Sequence, residues 1–374
     1  MMEYVNLGDV ATYINGYAFK PEHRGKKGLP IIRIQDLNGN SHDLAFFDGK
    51  YPEQVEINTG DILISWSGSL GVYKWNKGKA LLNQHIFKVL FNKIEIDKEY
   101  FCYAIRNSLS SMSQQTHGAT MKHITKKDFD NISIPYPDLI EQKKIANNLN
   151  IVNKLIMFYE KELILFEQMV KARFIEMFGD PLLNPNGHLK EKIEKHINLL
   201  SGYPFKSEQY VEKGINICGG LIIMPQKIKW DECVHWSSVE GFEDYLLNEN
   251  DIVMALDRPW ISGGFKIAKV DAEHLPALLI QRTARIRSID INQDYLYYCF
   301  ITGGFDKHSN VTGSLVPHIS AKDIRSFEIM IPPVELQNQF ADFIQQVDKS
   351  REEVKKSLEK TQQLYDSLMQ EYFG

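Results

Sequence analysis

Gly118-Ala119-Thr120-Met121-Lys122-His123-Ile124 is answered later in the chain by Gly313-Ser314-Leu315-Val316-Pro317-His318-Ile319. From there the two stretches run in step without a gap, 118–179 against 313–374. Lys127-Asp128 answers Lys322-Asp323, Pro137 answers Pro332, Gln142 answers Gln337, and Phe178-Gly179 answers Phe373-Gly374. Solenoid repeats have periods of roughly 20–50 residues, so a period this long means two copies of a domain. Two similar halves imply a pseudo-twofold internal repeat, which suits a target that is itself in two parts.

The C-terminal part of each copy predicts a long helix. Ile145, Leu149, Val152, Ile156, Tyr159, Leu163, Phe166 and Val170 step by four and three residues alternately. Phe340, Ile344, Val347, Val354, Leu358, Tyr365, Leu368 and Tyr372 keep the same frame, with Arg351 and Thr361 as polar breaks. A four-three alternation sustained this far is a coiled-coil seam. Asp138 with Glu141 three residues on reads as a capping box, Pro332-Pro333 suits a first helical turn, and Gly179 before Asp180-Pro181 is a stop. A helix of about 40 residues is about 60 Å long. Two matched seams most simply face each other, and each helix follows one domain, so the expected pairing is antiparallel.

The N-terminal part of each copy behaves differently. Short matched blocks are separated by insertions: Gly16-Tyr17-Ala18-Phe19-Lys20 with Gly202-Tyr203-Pro204-Phe205-Lys206, Asp61-Ile62-Leu63 with Asp251-Ile252-Val253, and Gln84 with Gln281. Apolar, β-branched runs punctuated by Gly, Asn and Pro predict short strands near 30–34, 62–64, 85–90 and 283–287, with short helices over 100–107 and 295–302. The predicted fold class is α/β (α+β). Two mixed globules occupy 1–138 and 180–333, and paired antiparallel spacer helices occupy 139–179 and 334–374.

The chain of 374 residues suits two domains of ordinary size. No run of about 18 apolar residues exists, so no membrane span is expected. Met1-Met2-Glu3-Tyr4-Val5 has no basic or apolar leader character, so no secretory signal is expected. Cys102, Cys218, Cys233 and Cys299 show no paired spacing and read as small buried apolar residues of a reducing cytoplasm. A formal charge of −5 argues against a heavily basic DNA coat but leaves local basic clusters open. Those are Lys20, Arg24, Lys26 and Lys27; Lys74, Lys77 and Lys79; Lys227 and Lys229; and Arg282, Arg285 and Arg287.

No catalytic constellation survives inspection. The Asn/Asp-Pro-Pro-aromatic loop that grips a flipped adenine is missing; Ile331-Pro332-Pro333-Val334 and Asn184-Pro185-Asn186-Gly187 are the nearest strings. No phosphate-cradling Gly-rich loop occurs. Pro137-Asp138 followed by Glu141-Gln142-Lys143 superficially matches a nuclease metal site, but it lies at a helix start and the second copy lacks the Asp and Lys. His123 and His318 match each other without a carboxylate or Cys motif beside them, so a structural role is expected, such as a bond to a backbone carbonyl.

The ordered set resembles the specificity subunit of a Type I restriction–modification system. It comprises the Gly-x-x-x-x-His-Ile segment, Ile134-Pro135-Tyr136-Pro137, Glu141-Gln142, the long helix, and the recurrence of all of these. Leu7-Gly8-Asp9-Val10, Gly16-x-x-Phe19-Lys20 and Thr59-Gly60-Asp61-Ile62-Leu63 also fit. The resemblance covers essentially the whole chain. The second copy departs at Leu336-Gln337 and at Ile215-Asn216-Ile217-Cys218-Gly219-Gly220, which stands where the first has Ile31-Ile32-Arg33-Ile34.

The resemblance implies two target-recognition domains, each reading one half of a split double-stranded DNA sequence, with the helices as ruler for the gap. It implies docking of two modification subunits, which hold S-adenosylmethionine and methylate adenine, and of restriction subunits. The chain would then be cytoplasmic, non-catalytic, and without metal or cofactor of its own. The seam positions Ile145, Leu149, Val152, Ile156, Leu163, Phe166, Phe340, Ile344, Val347, Val354, Leu358 and Tyr365 become candidate spacer and docking residues. Two other classes stay open: the DNA-reading part of a stand-alone nuclease or methyltransferase, and a coiled-coil adaptor with two protein-binding heads.

Positioning on DNA needs cations and small polar groups on phosphates, and reading needs Arg, Gln, Asn or Asp at base edges. The candidates sit at matched places in the two copies. Ser65, Trp66 and Ser67, and opposite them Asp257, Arg258 and Trp260, follow matched strands in segments expected to be exposed loops. Gln84 and His85 match Gln281 and Arg282, and Lys20 matches Lys206. A polar pair recurring in both domains could serve a common surface or a common fold. Trp230 and Trp236 read as packing residues.

Overall fold

A computed structural model describes residues 3–39, 43–115, 125–309 and 318–374. The motif at 118–124 and its counterpart up to residue 317 lie outside the described residues; His318-Ile319 lie within them. The chain forms two compact units, one of residues 1–160 with 356–374, the other of residues 161–355. Two helices of 40 residues, Leu139–Phe178 and Val334–Phe373, contribute to both.

In the first unit, strands Thr12–Asn15, Ile86–Leu90, Ile62–Ser65 and Gly71–Lys74 lie side by side in an antiparallel sheet. A second sheet orders Ala45–Phe47, Leu29–Ile32, Ala80–Leu82 and Glu56–Ile57, with its central pair parallel. The helix predicted over 100–107 is longer, Lys98–Gln115, and Asp97 starts it by accepting from the Glu99 and Tyr100 N–H groups. Its buried aromatic face joins Leu7, Phe87, Phe129 and Ile134 in one core. The long helix packs on that core through Ile145, Ala146 and Leu149, and Tyr365, Leu368, Met369 and Tyr372 of the second helix fill the same core. Asn148 Nδ2 donates to Tyr372 Oη across the pair at 3.2 Å. Val152 and Ile156 continue the buried seam.

The second unit repeats the plan. Ile197–Ser201, Thr283–Ser288, Ile252–Ala255 and Ile267–Lys269 form the antiparallel sheet. Val234–Trp236, Ile215–Cys218 and Ala277–Leu279 form the mixed one. The variant stretch at 215–218 therefore takes the same strand position as 29–32 in its own sheet. Val170, Phe174 and Phe178 are buried against Phe340, Ile344 and Val347. Phe178 meets the Phe340 ring at 5.5 Å and Arg173 lies over Phe343, so later residues of one helix meet earlier residues of the other and the pairing is antiparallel. Leu163, Phe166 and Val354 are half-buried in this unit, as Leu358 and Tyr365 are in the first. Fully burying a side chain of this size is worth about 1.5–3 kcal/mol before entropy costs.

The repeat extends to individual bonds. Gln142 is buried; its Oε1 accepts from the Asp97 N–H at 2.8 Å and its Nε2 donates to the Pro137 carbonyl at 2.7 Å. Gln337 does the same with Asn292 and Pro332, both at 2.8 Å. Tyr100 Oη donates to the Pro135 carbonyl and Tyr295 Oη to that of Met330, each at 2.8 Å. Each glutamine thus ties the first turn of a long helix to the residue that starts its globule's own helix. The Glu141 N–H bonds Asp138 Oδ1 at 2.9 Å, so the cap expected at Asp138 is present, and Gly179 closes that helix at φ 81°.

Three expectations need correction. Cys102, Cys218 and Cys299 are buried, but Cys233 is half-buried with its Sγ directed at Asn216 Oδ1. The cluster of Arg282, Arg285 and Arg287 is no basic surface. Arg285 is buried on the Asp244 and Leu246 carbonyls, Arg287 grips Asp251, and only Arg282 is exposed. His318 bonds a carboxylate, Asp257, and not a backbone carbonyl, because Asp257 arrives from a distant loop. Trp230 and Trp236 are buried, as packing residues should be.

Candidate nucleic-acid interface

The matched glycines prepare the site. A Cβ on Gly16 would lie 2.0 Å from the Asn83 carbonyl oxygen, and one on Gly202 would lie 2.1 Å from that of Ile280. Only glycine lets these strands cross so closely. The crossing is locked by the Gln84 N–H on the Tyr17 carbonyl at 2.9 Å and the Gln281 N–H on that of Tyr203 at 2.8 Å. The next residue in each unit is left-handed: His85 at φ 72° and Arg282 at φ 63°. Non-glycine residues seldom adopt this conformation, and where they do the surrounding structure enforces it, often at functional sites. One strained turn therefore presents histidine in one unit and arginine in the other.

In the second unit this turn forms part of a cleft of about 740 Å³. Gln281, Arg282, Asp257 and Arg258 line it, with Lys266, Glu232 and Gly219-Gly220. Four sequence candidates thus come together. Asp257 anchors the group: Oδ2 pairs with Arg282 Nη1 at 3.3 Å and Oδ1 with His318 Nδ1 at 2.6 Å. Arg258 is exposed and also left-handed, at φ 46°. Lys266 is only 7% exposed, and burial, then the neighbouring Arg258 guanidinium, hold its ammonium below the usual lysine range. Its Nζ donates to the Gly220 carbonyl. Trp260 lies apart from this cleft; it opens the strand Trp260–Ile261, is half-buried, stacks on Phe265 at 4.7 Å and lines a separate cleft with Lys171 and Lys307.

In the first unit Gln84 is exposed and His85 is half-buried beneath the Trp66 ring at 5.0 Å. Trp66 stacks on Phe87 and its Nε1 points at Asn15 Oδ1, 3.3 Å away. Ser65 and Ser67 are not in an exposed loop. Ser65 ends its strand fully buried, with Oγ donating to the Ser69 carbonyl at 2.6 Å, and Ser67 is buried beside it. Past them, Gly68, Ser69, Leu70 and Gly71 face Arg106, Leu109 and Ser110 across a cleft of about 370 Å³. Lys20 and Lys206 are exposed but line neither cleft.

Glu232, Lys266 and Arg106 were not legible as site residues, because they lie outside the matched blocks. Gly219-Gly220 was visible as the departure of the second copy. In the first unit the same stretch holds Arg33, which pairs with Asp36, and the helix Ile34–Leu37. Among the described residues no group of side chains is placed to hold a metal ion, and no helix is long and apolar enough to cross a membrane.

A family model for the Type I restriction modification DNA specificity domain matches residues 1–165 and again 202–363. The chain is 26% identical over 391 residues to the MjaVIII specificity subunit of Methanocaldococcus jannaschii, covering 97% of this chain and 91% of that one. It is 32% identical over 149 residues to the EcoBI specificity subunit of Escherichia coli, covering 39% and 31% of the two chains. Among solved structures, the S subunit of the Type I system of M. genitalium superposes with a TM-score of 0.57 at 14% identity, covering 100% and 96%. A second structure, from work on assembly and conformational transition of the type I R-M system, gives 0.56 at 15%, covering 99% and 97%. At these identities the likeness shows the fold.

Proposed function

The chain belongs to the Type I restriction–modification DNA specificity family, and from that membership we propose that it is the non-catalytic subunit that chooses the DNA sequence on which partner subunits act. Each unit reads one half of a two-part target, the first with the turn at Gln84-His85, the second with the cleft around Asp257, Arg258, Gln281 and Arg282. Lys20 and Lys206 serve the phosphates on either half, and the long helices set the gap. The observation that carries this reading is that one strained turn recurs in both units with different side chains on it. Identical readers would need identical residues there; a split, asymmetric target needs them different.

Partner docking has its own support. The first long helix exposes Ile151, Leu155, Met157, Phe158, Ile164 and Leu165, three of them about 60% exposed, whereas the second exposes few large apolar residues, Val334 and Leu364. Exposed apolar side chains in such number mark an interaction surface. The proposed occupants are two modification subunits, which carry S-adenosylmethionine and the methyl-transfer chemistry, with restriction subunits joining them in the cytoplasm. Sequencing of methylated DNA from cells carrying this chain with its partners tests the whole reading. A two-part motif with a constant gap is expected; a single continuous motif overturns it.

A further inference from the structure

The cleft of the second unit holds an arginine whose surroundings suit a base edge better than a phosphate. Arg282 has 75% of its side chain exposed, yet it is not loose. Its backbone is fixed by three features: the left-handed φ of 63°, the Leu256 N–H donating to its carbonyl at 2.9 Å, and the Gln281 N–H donating to Tyr203 just before it. Its guanidinium is steadied by Asp257 through Nη1, one of two nitrogens that each carry a pair of hydrogens. Asp257 is itself held by His318. A side chain whose backbone is fixed, and whose guanidinium is biased by one ion pair while keeping further donors, is partly pre-organised for a directional contact.

The sign of the lining charges separates the two kinds of ligand. A phosphate clamp gathers cations alone; here Arg258, Lys266 and Arg282 share the lining with the carboxylates of Asp257 and Glu232, and Lys266 is buried with its ammonium on the Gly220 carbonyl. A carboxylate already sharing the arginine weakens its pull on a phosphate and leaves its fork geometry intact. Leu221, Ile222 and Gly219-Gly220 add an apolar wall. Arginine presented through its fork pairs bidentately with O6 and N7 of guanine, the commonest specific contact in the major groove. We propose that Arg282, positioned by Asp257, reads a guanine in the half-site bound by the second unit. This rests on the DNA-reading function above, and His85 at the matched turn means that the first unit reads its half by other contacts.

The test uses the full chain assembled with its modification subunits and a pool of DNA duplexes in which both half-sites are randomised. Bound duplexes are sequenced for wild type, Arg282→Lys, Arg282→Gln and Asp257→Asn, and affinity is followed against salt. Wild type is expected to select a guanine at one position of one half-site by about 5- to 150-fold over other bases. Arg282→Lys keeps the charge and loses the fork, so it should lose that preference with an unchanged salt slope. Arg282→Gln should lose the preference as well, and Asp257→Asn should relax it at that position alone. The other half-site is the internal control for folding and must stay as in wild type. The inference is overturned if wild type selects no guanine in either half-site, if Arg282→Lys keeps the preference, or if the variants weaken all sequences equally with a shallower salt dependence, which marks a phosphate contact. Absence of any two-part motif in wild type would instead overturn the function on which the inference rests.

Discussion

Replacing Gln337 with leucine removes two hydrogen bonds while keeping the size of the side chain. The amide is 2% exposed and serves two main-chain groups, the Pro332 carbonyl in a buried bond and the Asn292 N–H in a part-buried one, both at 2.8 Å. Leucine leaves both without a partner. A buried group stripped of its bond costs about 1–3 kcal/mol, and the part-buried one sits at the low end of that range. The expected loss is about 2–4 kcal/mol, a large share of the ~5–15 kcal/mol that holds a domain together. For a unit of this size, each kcal/mol lowers Tm by about 2–4 °C, so scanning calorimetry should show a drop of roughly 4–16 °C. Hydrogen exchange adds a local test, because the Asn292 amide should lose its protection. Gln142→Leu is the twin, with its effect at the Asp97 amide in the first unit. Stability within about 0.5 kcal/mol of wild type, with the Asn292 amide still protected, would refute the reasoning.

Other expectations are as direct. Phe340→Ala empties a position between Phe174, Phe178 and Tyr298 and should cost about 3–5 kcal/mol in denaturant unfolding. Arg258→Ala should change the selected sequence at one half-site only, read by methylation mapping of the assembled complex; a change at both would contradict the assignment of one reader per unit. Burial pushes the Cys102 and Cys299 thiols up to about 12, so in the native protein a thiol reagent at pH 8 should label Cys233 first, and guanidinium should release the rest. Lys195 and His196 hold the Glu191 carboxyl below the usual glutamate range. Its stabilising contribution is therefore complete above that range and is lost as pH falls through the depressed value, and Glu191→Gln should flatten the acid limb of a stability–pH curve.

The long helices were legible almost to the residue, because heptad spacing, the Asp138 cap and the Gly179 stop are local signals. The repeat was legible because the spacing is constant over 118–179. What escaped was whatever depends on residues far apart in sequence. Gln142 and Gln337 could be seen to correspond, but nothing near them names Asp97 or Asn292 as partners. Ser65 and Ser67 look like loop residues from composition, and the sheet buries them. His85 and Arg282 carry no glycine to announce a left-handed turn; the close crossing at Gly16 and Gly202 imposes it. The pairing of Asp257 with Arg282 and His318 draws on three separate segments, which no spacing rule connects.

The glutamine and tyrosine ties at the root of each long helix end on carbonyl and amide groups of the main chain, and so take no account of which residue supplies them. A foreign globule that rejoined the chain at the same backbone position, near Asp97 or Asn292, would find the same fastening waiting. Hybrids exchanging residues 1–96 should therefore inherit a new sequence preference without having to reinvent the joint. On the proposed reading, the joint would act as a universal fitting and let new specificities arise by substitution of whole pieces.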